Sequence, residues 1–466
     1  MSATHFMVRK NALDKRWDAF YYEPEIVALE QRVQQKETHT LRDFVRFMSG
    51  GATPLKSESD QHYTDAENGV PFIRVQNLTS MGELDLQDVK HITHSTHNSS
   101  LARSRLSGGE LLVKITGVGR MAVASVVPDG LEANINQHIA AIKTDSKVQS
   151  EALAAYLNLD FVERLATRRA TGGTRPALDY NALLSIPVID DPRIVNIMQS
   201  AYAEKKQLEA QATDLLASVD SVLYRHLGIA LAQQEKQQLP QRIFRKRTHE
   251  ISNARWDAFF HKPIFLQNLE TINTSKFSIK TIHEVIVEKM TKGTLPKEEE
   301  KGGQSSVVQI NSINADGSFD LSSLLLAAPI FENSQKLQTN DILVVITGAT
   351  IGKIGLWKAD GDYWLGGDIV KFSTNTSSVP EYVFSWLRSE LLQKELKRRV
   401  TGATNGHLSP MDILSLPIPL PPLAAQQKIA DEIANLRNES VSLRATAQLK
   451  LQQAKQSVEK LILGEA

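Results

Sequence analysis

The chain of 466 residues repeats itself, and that constrains its fold more than any other feature. Arg16-Trp17-Asp18-Ala19-Phe20 returns as Arg255-Trp256-Asp257-Ala258-Phe259, 239 positions later. Leu112-Val113-Lys114-Ile115-Thr116-Gly117 returns as Leu343-Val344-Val345-Ile346-Thr347-Gly348 after 231. Thr171-Gly172, Leu178 and Ser185-Ile186-Pro187 return as Thr401-Gly402, Leu408 and Ser415-Leu416-Pro417 after 230. Order is kept while the offset drifts, as in two copies of one fold whose loops have gained or lost residues. Between the matched blocks the copies part: 53–105 and 295–336 share little beyond a turn near Gly82 and Gly317. A scaffold kept twice with different loops suits one kind of task performed on two targets. Taken by itself, the repeat reads equally as an old duplication with drifted surface loops.

Each copy has the pattern of an α/β unit. Short β-rich runs, Val70–Val75, Glu110–Ile115 and Ala122–Val127, lie between Gly, Asn and Pro turns. A helical run follows, Ser150–Arg169 in the first copy and Pro380–Arg399 in the second. The Thr-Gly turn and a short apolar segment ending at a proline close the unit.

After each unit the pattern switches to heptads. Ile194, Met198, Ala201, Lys205, Leu208, Ala212, Leu215, Val219 and Val222 alternate spacings of four and three, with Lys205 the one charged intruder. Asp190-Asp191-Pro192 suits the start of this helix and Gly228 its end. The second run follows Pro419, Pro421 and Pro422, uses Ile429, Ile433, Leu436, Ser440, Leu443 and Ala447, and continues through Leu451, Ala454, Val458 and Leu461 to Gly464. Two consecutive steps of four around Ala447 make a stutter. A helix of roughly 35 residues is about 50 Å long. Two such narrow apolar seams in one chain predict an antiparallel pair; a coiled coil between two chains is the other reading.

The expected fold class is α+β: two pseudo-repeated α/β globular domains separated by two long helices that form an antiparallel coiled coil. The expected segments are a domain over 1–189, a spacer helix over 190–240, a second domain over 241–419 and a second spacer helix over 420–466.

There is no cysteine, which excludes disulfides and thiolate metal sites. No apolar run is long enough for a bilayer and Met1–Asn11 carries no apolar signal core, so we expect a soluble cytoplasmic protein without membrane contact. Formal net charge is zero, where a protein gripping DNA by itself is usually basic. Charge is segregated locally, however: Arg164, Arg168, Arg169 and Arg175 crowd one stretch, and Lys394, Lys397, Arg398 and Arg399 another.

Arg-Trp-Asp-Ala-Phe at the start of each half resembles the opening of a target-recognition domain in specificity subunits of type I restriction–modification systems. Thr171-Gly172-Gly173-Thr174 with Leu178 and Ile186-Pro187 resembles the closing motif of such a domain. Thr401-Gly402-Ala403-Thr404, Leu408, Leu416-Pro417-Ile418-Pro419-Leu420-Pro421 and Gln426 are a closer likeness still. The resemblance covers nearly the whole chain. It implies a sequence-specific subunit that reads a bipartite, asymmetric site in double-stranded DNA, one half per domain, with the helices as a ruler for the gap. It implies as partners methylation subunits, two of them, and a motor–nuclease restriction subunit. S-adenosylmethionine, ATP and Mg would belong to those partners and no cofactor to this chain. The second closing turn departs from the first: Asn405 and His407 stand where the first has Arg175 and Ala177, so the two halves cannot touch DNA identically there.

Arg168, Arg169, Arg175, Arg398 and Arg399 are candidate DNA contacts, since they flank a glycine turn that lets backbone approach phosphate. The plain alternative is a helix C-terminus where cations favour the dipole. Arg103, Arg105, Lys114 and Arg120 in the first half, and Lys289, Lys292, Lys297, Lys353 and Asn405 in the second, are further candidates. Gln76, Asn77, Gln309 and Asn311 could read adenine or merely form turns. Trp17, Phe20, Trp256 and Phe259 could stack on bases, but a pattern kept in both copies points to buried anchors.

Gly348–Lys353 has three residues between its glycines and Ile354 after the lysine, so it is no nucleotide loop. His91, His94 and His97 read as a polar loop rather than metal ligands. No methyltransferase or nuclease motif stands out, so we expect no catalysis in this chain. The rival from another class is a coiled-coil scaffold joining two protein-binding domains without DNA.

Overall fold

The computed structural model describes residues 6–10, 13, 16–36, 39–54, 59–231, 245, 247, 255–287, 289–322, 324–328, 334–402 and 406–464. By contact the chain forms two units, Met1–Ala210 with Arg444–Ala466, and Gln211–Leu443. The division falls inside both long helices, Pro192–Leu227 and Leu423–Leu463, rather than at their ends. The heptads explain this. Ile194, Met198 and Ala201 with Leu451, Val458 and Ile462 join the core of the first unit. Val219, Leu223 and Leu227 with Ile429 and Ile433 join that of the second. Both helices stop where the sequence predicts, at Gly228 (φ 70°) and Gly464 (φ 71°), the left-handed turn that glycine takes without a Cβ penalty. In the second unit they run antiparallel: the Ser440 hydroxyl donates to the Ala212 carbonyl at 2.8 Å, and Arg225 to Glu432 at 2.7 Å.

The first unit has a four-stranded antiparallel sheet in the order Phe47–Gly50, Ile139–Lys143, Leu111–Lys114, Ala124–Val126. The second unit repeats it as Thr291–Lys292, Ile369–Phe372, Ile342–Val345, Ile354–Leu356. Both central strands are buried along their whole length, which is why they read as continuous apolar runs. The closing apolar segments become edge strands: Pro187–Val188 pairs with His39–Thr40, and Pro417–Pro419 with Ile279–Thr281. The divergent stretches build unlike second sheets, four strands in the first unit and three in the second. The shared turn survives between them, with Gly82 at φ 83° and Gly317 at φ 85°.

Two expectations change. Each helical run is two helices, Lys147–Leu157 then Asp160–Arg169, and Pro380–Arg388 then Glu390–Arg399. In the first, Asn158 leaves the helix and bonds the Ala124 backbone through both amide atoms, at 3.1 and 2.8 Å. In the second, Ser389 caps the new helix by accepting from the Leu392 amide. The histidines form no loop: His91 lies in strand Lys90–Thr93, and His94–Asn98 is a short helix. His97 is fully buried, with Asn134 2.5 Å and Glu132 2.8 Å from its ring nitrogens. Among the described residues no group of His, Asp or Glu is arranged to hold a metal, and no helix is long and apolar enough to cross a membrane.

Candidate nucleic-acid interface

Each half opens with a motif whose work is structural at its polar positions. Arg16 donates to the carbonyls of Arg168, Arg169 and Ala170 at 2.9–3.1 Å, the orphan acceptors at the end of helix Asp160–Arg169. Asp18 holds that arginine at 2.8 Å and caps the turn Ala19–Tyr22. Arg255 and Asp257 repeat the device on the carbonyls of Arg399 and Val400. The aromatic positions do the opposite of what their repetition suggests. Trp17 is 83% exposed and Trp256 69%, with Phe20 and Phe259 about half so. Arginine and aspartate anchor the segment, which turns the intervening tryptophan outward.

The arginine clusters are internal. Arg168 and Arg169 both pair with Glu30 of helix Pro24–Gln34, and Arg168 also donates to the Tyr21 carbonyl at 2.8 Å and lies over the Tyr21 ring. Arg398 and Arg399 pair with Glu395, at 3.4 and 2.7 Å, and Arg398 donates to the Phe260 carbonyl. Burial pushes the Arg398 pKa down. Expected at a DNA contact, these four guanidinium groups are instead held within each unit: Arg168 and Arg169 tie helix Asp160–Arg169 to helix Pro24–Gln34, Arg398 ties helix Glu390–Arg399 to Phe260, and Arg399 pairs within its own helix. The signal was present in sequence as a mismatch: Glu395 stands where the first copy has Leu165, and Glu30 where the second has Leu269.

The remaining candidates separate. Arg120 is bound to Asp160 at 2.7 Å and the Asn158 carbonyl at 2.6 Å. Arg105 donates to the His97 carbonyl and the Asn98 Oδ1, and Lys353 to the Ile313 carbonyl. Lys292 stands 3.8 Å from Asp368, and the Lys297 amide caps the turn Glu298–Glu300 through Glu300. Arg103 and Lys289 are exposed. Asn405 lies outside the described residues.

Lys114 and Arg175 come together at an open cleft of about 360 Å³ that also gathers Arg74, Gln76, Asn136 and His138. The closing turn builds one wall. Thr171 and Ala177 exchange both backbone hydrogen bonds at 2.8 Å, with Gly172 at φ 97°, and Leu178 ties the turn to Ile115. Lys114 is buried, donates from Nζ to the Val118 carbonyl at 2.7 Å, and has its pKa lowered by desolvation. His138 is pushed down by burial and by the charge of Arg175. Arg175 is exposed and pairs with no described residue. The Arg74 Nε is buried with no hydrogen-bond partner.

The backbone of this place is repeated in the second unit. Asn136 donates to the Ile73 carbonyl as Gly366 does to Val308, Ile115 to His138 as Ile346 to Asp368, and Asn77 to Arg74 as Ser312 to Gln309. The side chains are not repeated. Arg74 becomes Gln309, Lys114 becomes Val345, His138 becomes Asp368 and Arg175 becomes Asn405. Arg74 and His138 are thus site residues that the sequence alone does not single out, whereas Gln76 and its counterpart region at Gln309 stand among the candidate base readers.

Fold and site together define a duplicated scaffold, with the same backbone hydrogen bonds around the cleft and its counterpart and unlike side chains at the equivalent positions. Residues 274–453 match the family model described as Type I restriction modification DNA specificity domain. The match lies in the second half, over the segment whose motifs and four-stranded sheet the first half repeats, and it agrees with the resemblance carried by the paired motifs. Among solved structures the chain is similar to the type I restriction-modification system S subunit from M. genitalium, with 12% identity over 91% of this chain and 95% of that one and a TM-score of 0.41. It is similar also to a chain from work on complex assembly and conformational transition of the type I R-M system, at 15% identity, 92% and 96% coverage and a TM-score of 0.47. For the HsdS subunit from Thermoanaerobacter tengcongensis the values are 13%, 92%, 95% and 0.34.

Proposed function

We propose that each unit reads one half of a bipartite, asymmetric site in double-stranded DNA, and that the chain supplies recognition while its partners supply chemistry. One observation carries this reading: the two units share their backbone around the cleft and differ at Arg74/Gln309, Lys114/Val345 and His138/Asp368. Phosphate contacts position a protein without carrying sequence, whereas base edges are distinguished by the donors and acceptors presented to them. A shared backbone with exchanged donors and acceptors is the arrangement two unlike half-sites require.

The zero net charge fits a subunit that shares its phosphate grip with others. In this reading two methylation subunits bring S-adenosylmethionine, and a motor–nuclease subunit brings ATP and Mg. The test is a genome-wide map of methylated adenines in the source cell with and without this gene. A split motif that vanishes on deletion supports the reading. An unchanged map counts against it and favours the protein-binding scaffold.

A further inference from the structure

We propose that the cleft of the first unit, lined by Arg74, Gln76, Lys114, His138 and Arg175, reads a guanine edge in its half-site, and that the equivalent place in the second unit reads a different base. This rests on the DNA-recognition reading and adds to it where, and toward what, one unit is specific.

The cleft offers donors. Among the described residues no carboxylate lines it. Two arginines line it, Arg74 between strand Gly69–Ile73 and the turn Val75–Asn77, and Arg175 on the closing turn. Among the described residues the buried Arg74 Nε has no partner, and the other end of that guanidinium reaches the Asp88 carbonyl at 3.5 Å. Arg175 pairs with no described residue. Lys114 is committed to Val118, so it shapes the turn beneath the ligand rather than grasping it. Two guanidinium groups without a carboxylate beside them among the described lining residues favour a ligand with adjacent acceptors, and guanine presents two, N7 and O6, in the major groove.

A phosphate is also an acceptor, and the repeat separates the two. Backbone phosphates are the same in both half-sites, so a phosphate cradle would keep its cations in both copies. This one does not. Gln309, Val345 and Asp368 replace two cations and an imidazole, and the carboxylate of Asp368 stands 3.8 Å from Lys292. An acceptor-bearing second site suits a base with an exocyclic amino group. Ligand chemistry that changes while the backbone stays is the mark of base reading.

The experiment uses the full chain assembled with its methylation subunits and a panel of duplexes in which each base pair of the recognised site is replaced in turn. Arg74→Gln and Arg175→Asn install the residues of the second unit. The expected result is that discrimination at one G·C pair of one half-site falls about 5- to 150-fold while the other half-site is read as before. A uniform loss across all duplexes with a shallower salt dependence would assign the cleft to phosphate and overturn the proposal. An unchanged panel overturns it too. If the unmodified assembly prefers no duplex, the DNA-recognition reading itself fails and this proposal with it.

Discussion

Glu30 in the first unit and Glu395 in the second neutralise equivalent arginine pairs from opposite sides of the same helix contact. Glu30 reaches Arg168 and Arg169 from helix Pro24–Gln34. Glu395 reaches Arg398 and Arg399 from within helix Glu390–Arg399 and takes a hydrogen bond from Asn268 at 3.1 Å. Removing one partner of a buried pair leaves the other charge uncompensated, at about 3–5 kcal/mol. We expect Glu30→Leu to destabilise the first unit by about that much, and the double variant with Leu165→Glu to recover most of it. Chemical denaturation of the four members of the cycle measures it; purely additive losses would refute the equivalence. Arg168→Ala and Arg169→Ala should likewise cost stability, and leave the salt dependence of DNA binding unchanged in protein that remains folded.

The opening motif splits into anchor and surface. Arg16→Ala removes charged hydrogen bonds to three helix-end carbonyls and should cost about 1–3 kcal/mol. Trp17→Ala, at a side chain 83% exposed, should stay within about 0.5 kcal/mol. Melting curves of the two variants decide it, and a Trp17 variant as damaged as the Arg16 one would restore the buried-anchor expectation.

Both units carry one capping box before their first edge contact: Asp43 accepts from the Thr40 amide, and Glu284 from the Thr281 amide. The hydrogen bonds from Lys280 and Thr281 hold Glu284 down at about 2, against an ordinary 4.5. A depressed carboxylate stabilises the fold above its unfolded pKa and loses that contribution as pH falls through the folded one. Glu284→Gln should therefore flatten the loss of stability between about pH 4.5 and 2, read as denaturation midpoints across that window. A variant as acid-sensitive as the parent would contradict this.

Continuous helices of 36 and 41 residues make the spacer testable. Seven residues inserted into each add about 10 Å, or about three base pairs. The gap between half-sites should lengthen by that amount with both half-sites unchanged. Altered half-sites across an unaltered gap would sink the ruler.

The sequence made legible whatever repeats or has a period. Heptads and their terminal glycines marked where the long helices end, at Leu227 and Leu463, although the first spacer segment was expected to run on to 240, and buried strands showed as apolar runs. What was hidden depends on tertiary partners. The break at Asn158 needs the Ala124 backbone to be seen, and Ser389 is an unremarkable serine until its helix is capped. Arg168 and Arg169 read as surface because their carboxylate, Glu30, is 138 and 139 residues away; that of Arg398 and Arg399, Glu395, stood three and four residues off in the same helix. Exposure of Trp17 follows from where Arg16 and Asp18 are fixed, which no pattern of spacing encodes. Of the cleft, Lys114 and Arg175 were found through their nearness to the repeated turn. Arg74 and His138 come from segments joined to it only by sheet register.

The central claim is that the two units read different half-sites of one split sequence. Selection of duplexes from a fully randomised pool by the chain assembled with its methylation subunits, followed by sequencing, tests it most directly. The account predicts two short, unlike blocks held at one fixed gap. A single contiguous block, two identical blocks, or no enriched sequence would contradict it.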